Sequence, residues 1–311
     1  MAADLDPHLD IVYPKLRAGK AIPLLGAGAN RCRSDPPPAL ERVPDGRELA
    51  GHLAKAAGYP AGEPLDLLRV SQYVAVTQGM GALYQELHDV FDRAYGPNRL
   101  HGLLARLPAA RRANGLSPGG MVITTNYDDM LEVALAAAGE PYDVLSYIAD
   151  GDDAGLFMHR TSEGAAGVVK IANEYRGLAL RDRTVIVKLH GAVERDDPLQ
   201  DSYVVTEDDY IEYLTRSDDS TLLPVTLSAA MSQSHFLFLG YSLRDWNLRV
   251  ILHRIWTRQR RAYHSWAVQL APDALDSAFW QDRKVEIRDV DIDVYVDGLI
   301  ARLEADLGGA G

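Results

Sequence analysis

The chain has 311 residues, 47% of them hydrophobic, a formal net charge of −12 and one cysteine, Cys32. The length and apolar share suit one large α/β domain or two modest ones. The acidic balance argues against general affinity for nucleic acid or anionic membranes, and one cysteine excludes an intrachain disulfide.

No apolar run approaches the roughly 18 residues of a membrane span. The N-terminus, Met1-Ala2-Ala3-Asp4-Leu5-Asp6-Pro7, lacks the basic flank of a signal peptide, so a cytoplasmic location is expected. A basic cluster from Arg254 to Arg261 stands out locally against the acidic whole.

In chain order, Asp10 to Ala18 reads as a short helix whose regular part begins near Pro14. A strand at Ala21-Ile22-Pro23-Leu24-Leu25 then runs into Gly26-Ala27-Gly28-Ala29-Asn30. The proline run 36–38 cannot continue a helix and reads as a loop over that strand end. From 47 to 107 apolar residues recur at helical spacing, as in Leu49, Leu53 and Ala57 or Leu83, Leu87 and Val90, until Gly96-Pro97 interrupts them. A second strand is expected over 121–125, with a crossover helix from Asp129 to Ala138. The stretch 151–183 is rich in Gly, Asp, Ala and Arg and reads as a hairpin or short helix among mobile loops.

Val185-Ile186-Val187-Lys188-Leu189 forms the next strand and ends in His190-Gly191. Tyr203 to Thr206 is strand-like, and Thr206 caps a helix opening at Glu207. Leu222 to Ser232 reads as helix. Phe236 to Leu239 reads as a strand entering Gly240-Tyr241-Ser242-Leu243, and Leu243 to Trp256 as an amphipathic helix. Strands at Ser265–Leu270 and Lys284–Arg288 and a helix at Val294–Leu307 complete the chain, ahead of a glycine-rich tail that should fray. The expected fold class is α/β, a parallel sheet flanked by helices. A helical insertion at 46–110 separates its first and second strands, and 151–183 is a loop-rich insertion, all within one domain over 1–311.

Four apolar strands thus end in glycine or small polar groups, and in open α/β sheets ligands bind beyond the carboxyl ends of the strands. The motifs resemble the sirtuin family, and more closely its zinc-free bacterial branch, whose members destroy NAD. The family's glycine loop is similar to Gly26-Ala27-Gly28-Ala29-Asn30, with Asn30 where the family carries Ser. Its Asn-x-Asp signature matches Asn126-Tyr127-Asp128, its His-Gly pair His190-Gly191, and its later Gly-x-Ser-Leu segment Gly240-Tyr241-Ser242-Leu243. These matches run in family order from about residue 20 to 250. The loop around Val43-Pro44-Asp45-Gly46 lacks the Trp of the family's Pro-Thr-Trp turn. The resemblance implies a Rossmann-like sheet. Deacetylating sirtuins carry four cysteines for a structural zinc; tetrahedral Cys₄ binding needs four thiolates, so that module is absent and no zinc is expected.

Each motif also has a bland reading. A Gly-Ala-Gly run is common in turns, yet it equally lets backbone N–H groups approach a pyrophosphate. Asn126 to Asp128 can be a turn capping the next helix; the resemblance instead gives Asn126 to the ribose or an attacking water and Asp128 to the nicotinamide carboxamide. His190 can be a hydrogen-bonded core residue or can take a proton from a ribose hydroxyl or order a water. Asp245 and Asn247 can cap a helix; with Thr125, Gly240, Ser242 and Leu243, Asp245 is also a candidate for holding the dinucleotide. His101, His159 and His235 lack metal-ligand spacing and read as surface or core residues.

The family resemblance implies an NAD glycohydrolase that releases nicotinamide and ADP-ribose, with cyclisation as a side fate, acting in antiphage defence. NAD is then a substrate. A homo-oligomer, or a separate sensor, nuclease or ATPase chain, is the implied partner. An NAD-dependent protein deacylase and a silent NAD- or ADP-ribose-binding module are the alternatives.

Overall fold

The computed structural model describes residues 5–34, 42–216, 223–241 and 264–308. Helix α1 (Leu5–Arg17) leads into strand β1 (Ala21–Leu25). Helices α2 (Gly46–Ala57), α3 (Leu67–Gln78), α4 (Met80–Phe91) and α5 (Arg99–Ala113) follow before strand β2 (Gly120–Thr124). Next come α6 (Met130–Ala137), β3 (Tyr142–Tyr147), β4 (Phe157–Thr161), β5 (Ala166–Val169) and β6 (Thr184–Lys188). A short pair, β7 (Gly191–Ala192) and β8 (Ser202–Tyr203), precedes α7 (Glu207–Arg216), α8 (Val225–Ser232) and β9 (His235–Leu239). Strand β10 (Ser265–Gln269), α9 (Ala274–Asp282), β11 (Val285–Asp289) and α10 (Ile292–Gly308) close the chain.

Nine strands form one sheet in the order β11-β10-β9-β1-β2-β6-β3-β4-β5. The first seven in that order are parallel, and the β4–β5 hairpin adds an antiparallel edge. This is a Rossmann-like α/β architecture, a largely parallel sheet flanked by helices. The central strands are buried on both faces, which is why their sequences are continuous apolar runs rather than alternating ones. In β1, Ile22 and Leu24 pack on the side holding Tyr213 of α7, Leu227 of α8 and Trp280 of α9. Leu25 and Ala21 face α1, α5, α6 and α10 through Leu16, Leu103, Leu135 and Leu299.

A third core joins α2, α3 and α4 through Leu53, Val74 and Leu87 to Tyr127, Val193 and Tyr203. The expected helical insertion between β1 and β2 therefore packs against residues after β2 and β6, beside the carboxyl ends of the strands. The 151–183 stretch resolves into the β4–β5 hairpin and its loops.

Three expectations need correction. Helix α1 begins at Leu5, not near Pro14, because Leu9, Val12, Tyr13 and Leu16 are buried on one stripe and outweigh the proline at 14. The strand expected over 203–206 shrinks to Ser202–Tyr203, because Val205 and Thr206 donate their N–H groups to Asp209 at 3.1 and 2.9 Å and turn into α7. The helix after β2 starts at Met130 rather than Asp129. The helix expected over 243–256 lies outside the described residues. Among the described residues no helix is long and apolar enough to cross a membrane.

Candidate active site

Strands β9, β1, β2 and β6 end level with one another. Leu25 pairs with both Thr124 and Leu239, and Thr124 pairs with Lys188. The residues just past these ends therefore meet on one edge. The chain leaves β1 for β2 on one side, and β9 lies on the other, so this edge is where the strand order reverses and ligands are favoured. A cavity of about 610 Å³ opens there, with Gly26, Asn126, Asp128, His190 and Gly240 on its walls. Ala27, Gly28, Asn30 and Thr125 line it too. The sequence candidates Ser242, Leu243 and Asp245 lie outside the described residues.

The glycine loop is shaped by its neighbour. Gly28 donates its N–H to the Gly240 carbonyl at 2.8 Å, and Gly26 donates to Leu239 at 3.1 Å. Gly240 is left-handed at φ +65°, and a Cβ there would sit 1.8 Å from the Ala29 nitrogen. The N–H of Ala29 closes a turn on the Gly26 carbonyl at 2.8 Å. Three of the loop's N–H groups are thus satisfied within the protein, and the contact of one loop with another accounts for these glycines. From below, Asn98 Nδ2 donates to the Ala29 carbonyl at 2.9 Å, bracing the turn on the start of α5. His101 Nδ1 accepts the Asn98 N–H at 3.2 Å in the same cap. Burial pushes the His101 imidazole below its usual pKa, against the pull of the Asp128 charge.

Asn126 and Asp128 are 8% and 5% exposed, so each of their polar atoms needs an accounting. Asn126 Nδ2 donates to the Gly26 carbonyl at 3.2 Å, and its backbone N–H donates to Thr124 Oγ1 at 2.9 Å. Its Oδ1 has no hydrogen-bond partner among the described residues. Asp128 Oδ2 accepts Asn30 Nδ2 at 3.0 Å, and Oδ1 accepts the Met130 N–H at 3.2 Å. The capping reading is therefore true of Asp128 in part, and it coexists with a place on the cavity wall. Asp129 is turned away to Arg195, at 2.7 and 2.8 Å. Burial would raise the Asp129 carboxyl, but Arg195 and Lys188 together hold it below its usual pKa.

Lys188, placed from sequence within the strand Val185–Leu189 and given no role there, is 1% exposed. Its Nζ donates to the Asp128 main-chain carbonyl at 2.6 Å and to Glu132 Oε1 at 2.6 Å. It ties the end of β6 to the turn that carries Asn126 and Asp128. A lysine in an otherwise apolar strand was the signal for it.

His190 is 3% exposed and lies on the cavity wall. Tyr210 and Tyr213 of α7 meet its ring edge-to-face at 5.3 and 5.9 Å, and Tyr210 Oη is 3.4 Å from Nδ1. Gly191 follows with φ +86°, and a Cβ there would be 2.0 Å from the Ser202 carbonyl oxygen. The glycine after the histidine is thus required by β8 pairing alongside it. At the far wall Asp45 caps α2, accepting the Arg47 and Glu48 N–H groups at 3.0 Å each, and Arg31 Nε donates to Asp45 at 2.6 Å. Burial opposes ionisation of Asp45, yet these donors hold its carboxyl below its ordinary pKa. Neither Arg31 nor Tyr210 belonged to the sequence candidates: Arg31 follows Asn30 in the glycine loop and is placed by its bond to Asp45, and Tyr210 reaches the wall through the packing of α7.

Residues 120–288, more than half of the chain, match the SIR2-like domain family. The chain is 29% identical over 210 residues to an NAD(+) hydrolase ThsA of Acinetobacter baumannii, covering 67% of this chain and 35% of that protein. It is 28% identical over 248 residues to the NAD(+) hydrolase ThsA of Bacillus cereus, covering 77% of this chain and 44% of that one. A defense-associated sirtuin 2 of Bacillus subtilis is 25% identical over 249 residues, 80% of this chain and 20% of that protein. The chain spans less than half the length of each of these relatives.

Proposed function

Because the chain belongs to the SIR2-like domain family, we propose that it is an NAD glycohydrolase whose catalytic site is the cavity at the carboxyl edge of β9, β1, β2 and β6. The observation that carries this reading is the convergence of Asn126, Asp128 and His190 on one cavity at the reversal of strand order. Relatives named as NAD(+) hydrolases support it.

In the reaction, the bond between the ribose C1′ and the nicotinamide nitrogen breaks and its electron pair leaves with nicotinamide. A water oxygen bonds C1′, and one proton is released. The departing group is neutral and needs no strong acid. The demand is instead to stabilise an oxocarbenium-like centre and to aim the water. Asn126 is held by its Nδ2 on the Gly26 carbonyl, so its Oδ1 can accept from a ribose hydroxyl or the attacking water. His190 accepts the proton released. Asp128 holds the nicotinamide end, and the dinucleotide extends along the glycine loop and the turn at Gly240.

The chain works as one catalytic unit over 1–311, with the helices of 46–110 walling one side of the site. Its setting in this reading is the cytoplasm and its role antiphage defence by NAD depletion; the Bacillus subtilis relative's name, defense-associated sirtuin 2, supports the defence part. A homo-oligomer, or pairing with a separate sensor, nuclease or ATPase chain, is the arrangement this reading implies, with triggering by self-assembly or by that other chain.

The test is nicotinamide release from NAD by the purified chain, with and without an acetylated peptide. Release without peptide, lost by about 100-fold or more in Asn126→Ala, is the expected result. Dependence on the peptide would make the protein a deacylase, and binding without release would make it a silent NAD-binding module.

A further inference from the structure

Asn30 stands where the resembled family carries a smaller serine, and its position gives it chemistry a serine would not have. Its side chain is almost wholly buried, at 4% exposure, on the wall of the same cavity. Its Nδ2 donates to Asp128 Oδ2 at 3.0 Å. A carboxylate offers only acceptors, so the orientation of the Asn30 amide is forced: nitrogen toward Asp128, oxygen away from it. That oxygen has no hydrogen-bond partner among the described residues. A buried carbonyl oxygen without a donor has lost its water and gained nothing in return, so a donor is expected to arrive with the ligand.

Two features of the surroundings choose between ligand groups. The free acceptor belongs to the same small amide that is bonded to the Asp128 carboxylate, so acceptor and carboxylate are neighbours. A phosphate brought to this point would face an acceptor oxygen and a carboxylate, both repulsive to it. The turn's Gly26, Gly28 and Ala29 N–H groups are already bonded to carbonyls within the protein. A hydroxyl brings one donor hydrogen, whereas a neutral primary amide brings two, enough for the Asn30 oxygen and the second lone pair of Asp128 Oδ2 together.

Resting on the NAD-hydrolase reading, we propose that Asn30 Oδ1 is a specificity-determining acceptor for the carboxamide amino group of the substrate's nicotinamide, acting as a pair with the Asp128 carboxylate. Asn30 is then a contact to the leaving group and not to the pyrophosphate. The pair reads the –NH₂ of the base, and the unpartnered Oδ1 of Asn126 is left for the ribose or water.

The experiment compares NAD with its 3-acetylpyridine analogue, in which a methyl group replaces the carboxamide amino group, by calorimetric binding and by base release. Wild type is expected to bind NAD roughly 10- to 100-fold more tightly than the analogue, because a site built to hydrogen-bond an N–H leaves buried acceptors unpaired when it is missing. Asn30→Ser, with its thermal midpoint checked against wild type, should lose most of that preference by weakening toward NAD while binding the analogue about as before. Equal affinity of wild type for the two dinucleotides overturns the proposal without any variant. A folded Asn30→Ser that keeps the full preference also overturns it. If wild type binds with the expected preference but releases no base, the acceptor assignment stands and the hydrolase reading fails. If wild type binds neither dinucleotide, both fail.

Discussion

Replacing Lys188 by methionine tests how the turn carrying Asn126 and Asp128 is held. Lys188 Nζ makes two hydrogen bonds of 2.6 Å, one to the main-chain carbonyl of Asp128 and one to Glu132. Both partners are buried, Glu132 at 9% exposure. Lys188→Met is close in volume, so the loss is electrostatic: a carboxyl and a carbonyl both lose their donor. Removing one partner of a buried ion pair costs about 3–5 kcal/mol. Adding Glu132→Leu removes the stranded carboxyl and should restore most of this. About 1–3 kcal/mol should remain for the orphaned Asp128 carbonyl.

Burial raises the Glu132 carboxyl against the pull of Lys188, and the single variant removes that pull. A carboxyl whose folded pKa lies above its unfolded value destabilises the fold above the unfolded pKa, and the penalty fades as pH falls through that range. The Lys188→Met defect should therefore shrink as pH approaches 4.5, the ordinary value for Glu. Urea unfolding at several pH values reads the stability, and nicotinamide release reads the turn. The double variant should be stable yet slow, because nothing replaces the tether on Asp128. A Lys188→Met cost below about 1 kcal/mol, no recovery on adding Glu132→Leu, or a fully active double variant would refute the reasoning.

Three further outcomes follow from the same geometry. His190→Ala should lower kcat by about 100-fold or more while NAD affinity by calorimetry stays within a few-fold; joint loss of binding and turnover would make His190 a packing residue. Gly240→Ala should cost more than about 4 kcal/mol or fail to fold, since its Cβ would sit 1.8 Å from the Ala29 nitrogen. Gly58→Ala is its control. The backbone is also left-handed there, at φ +64° with nothing within 4 Å, and thermal denaturation should show only about 1–2 kcal/mol of loss. His101, held neutral by burial, stays unprotonated when the unfolded chain takes up a proton, so stability should fall as pH drops below 6.5. His101→Gln keeps an acceptor for the Asn98 N–H and should flatten that fall by up to about 1.4 kcal/mol per pH unit; an unchanged stability profile would remove His101 as the titrating group.

The sequence by itself determined the sheet and its edge. Uninterrupted apolar runs such as Val185 to Val187 mark strands covered on both faces, and a parallel strand must hand its next residues to the carboxyl edge. That is why Gly26, Asn126, Asp128, His190 and Gly240 could be placed together from order alone. Local signals also placed the Thr206 cap, whose Oγ1 accepts the Asp209 N–H at 3.0 Å. Tertiary structure decided what sequence spacing does not encode, because hydrogen bonds across long separations depend on which elements pack together. Lys188 is 60 residues from the carbonyl it holds, and Asn30 is 98 residues from Asp128. The purpose of the glycines belonged to the same class. The motif suggested approach to a phosphate, but the nearest atom to the missing Cβ of Gly28 is the Gly240 carbonyl oxygen at 2.6 Å, a contact only the folded chain creates. Helix α1 was misjudged for a related reason: proline at 14 is a local penalty, and the burial of Leu9 and Leu16 against the rest of the fold is the larger, non-local term.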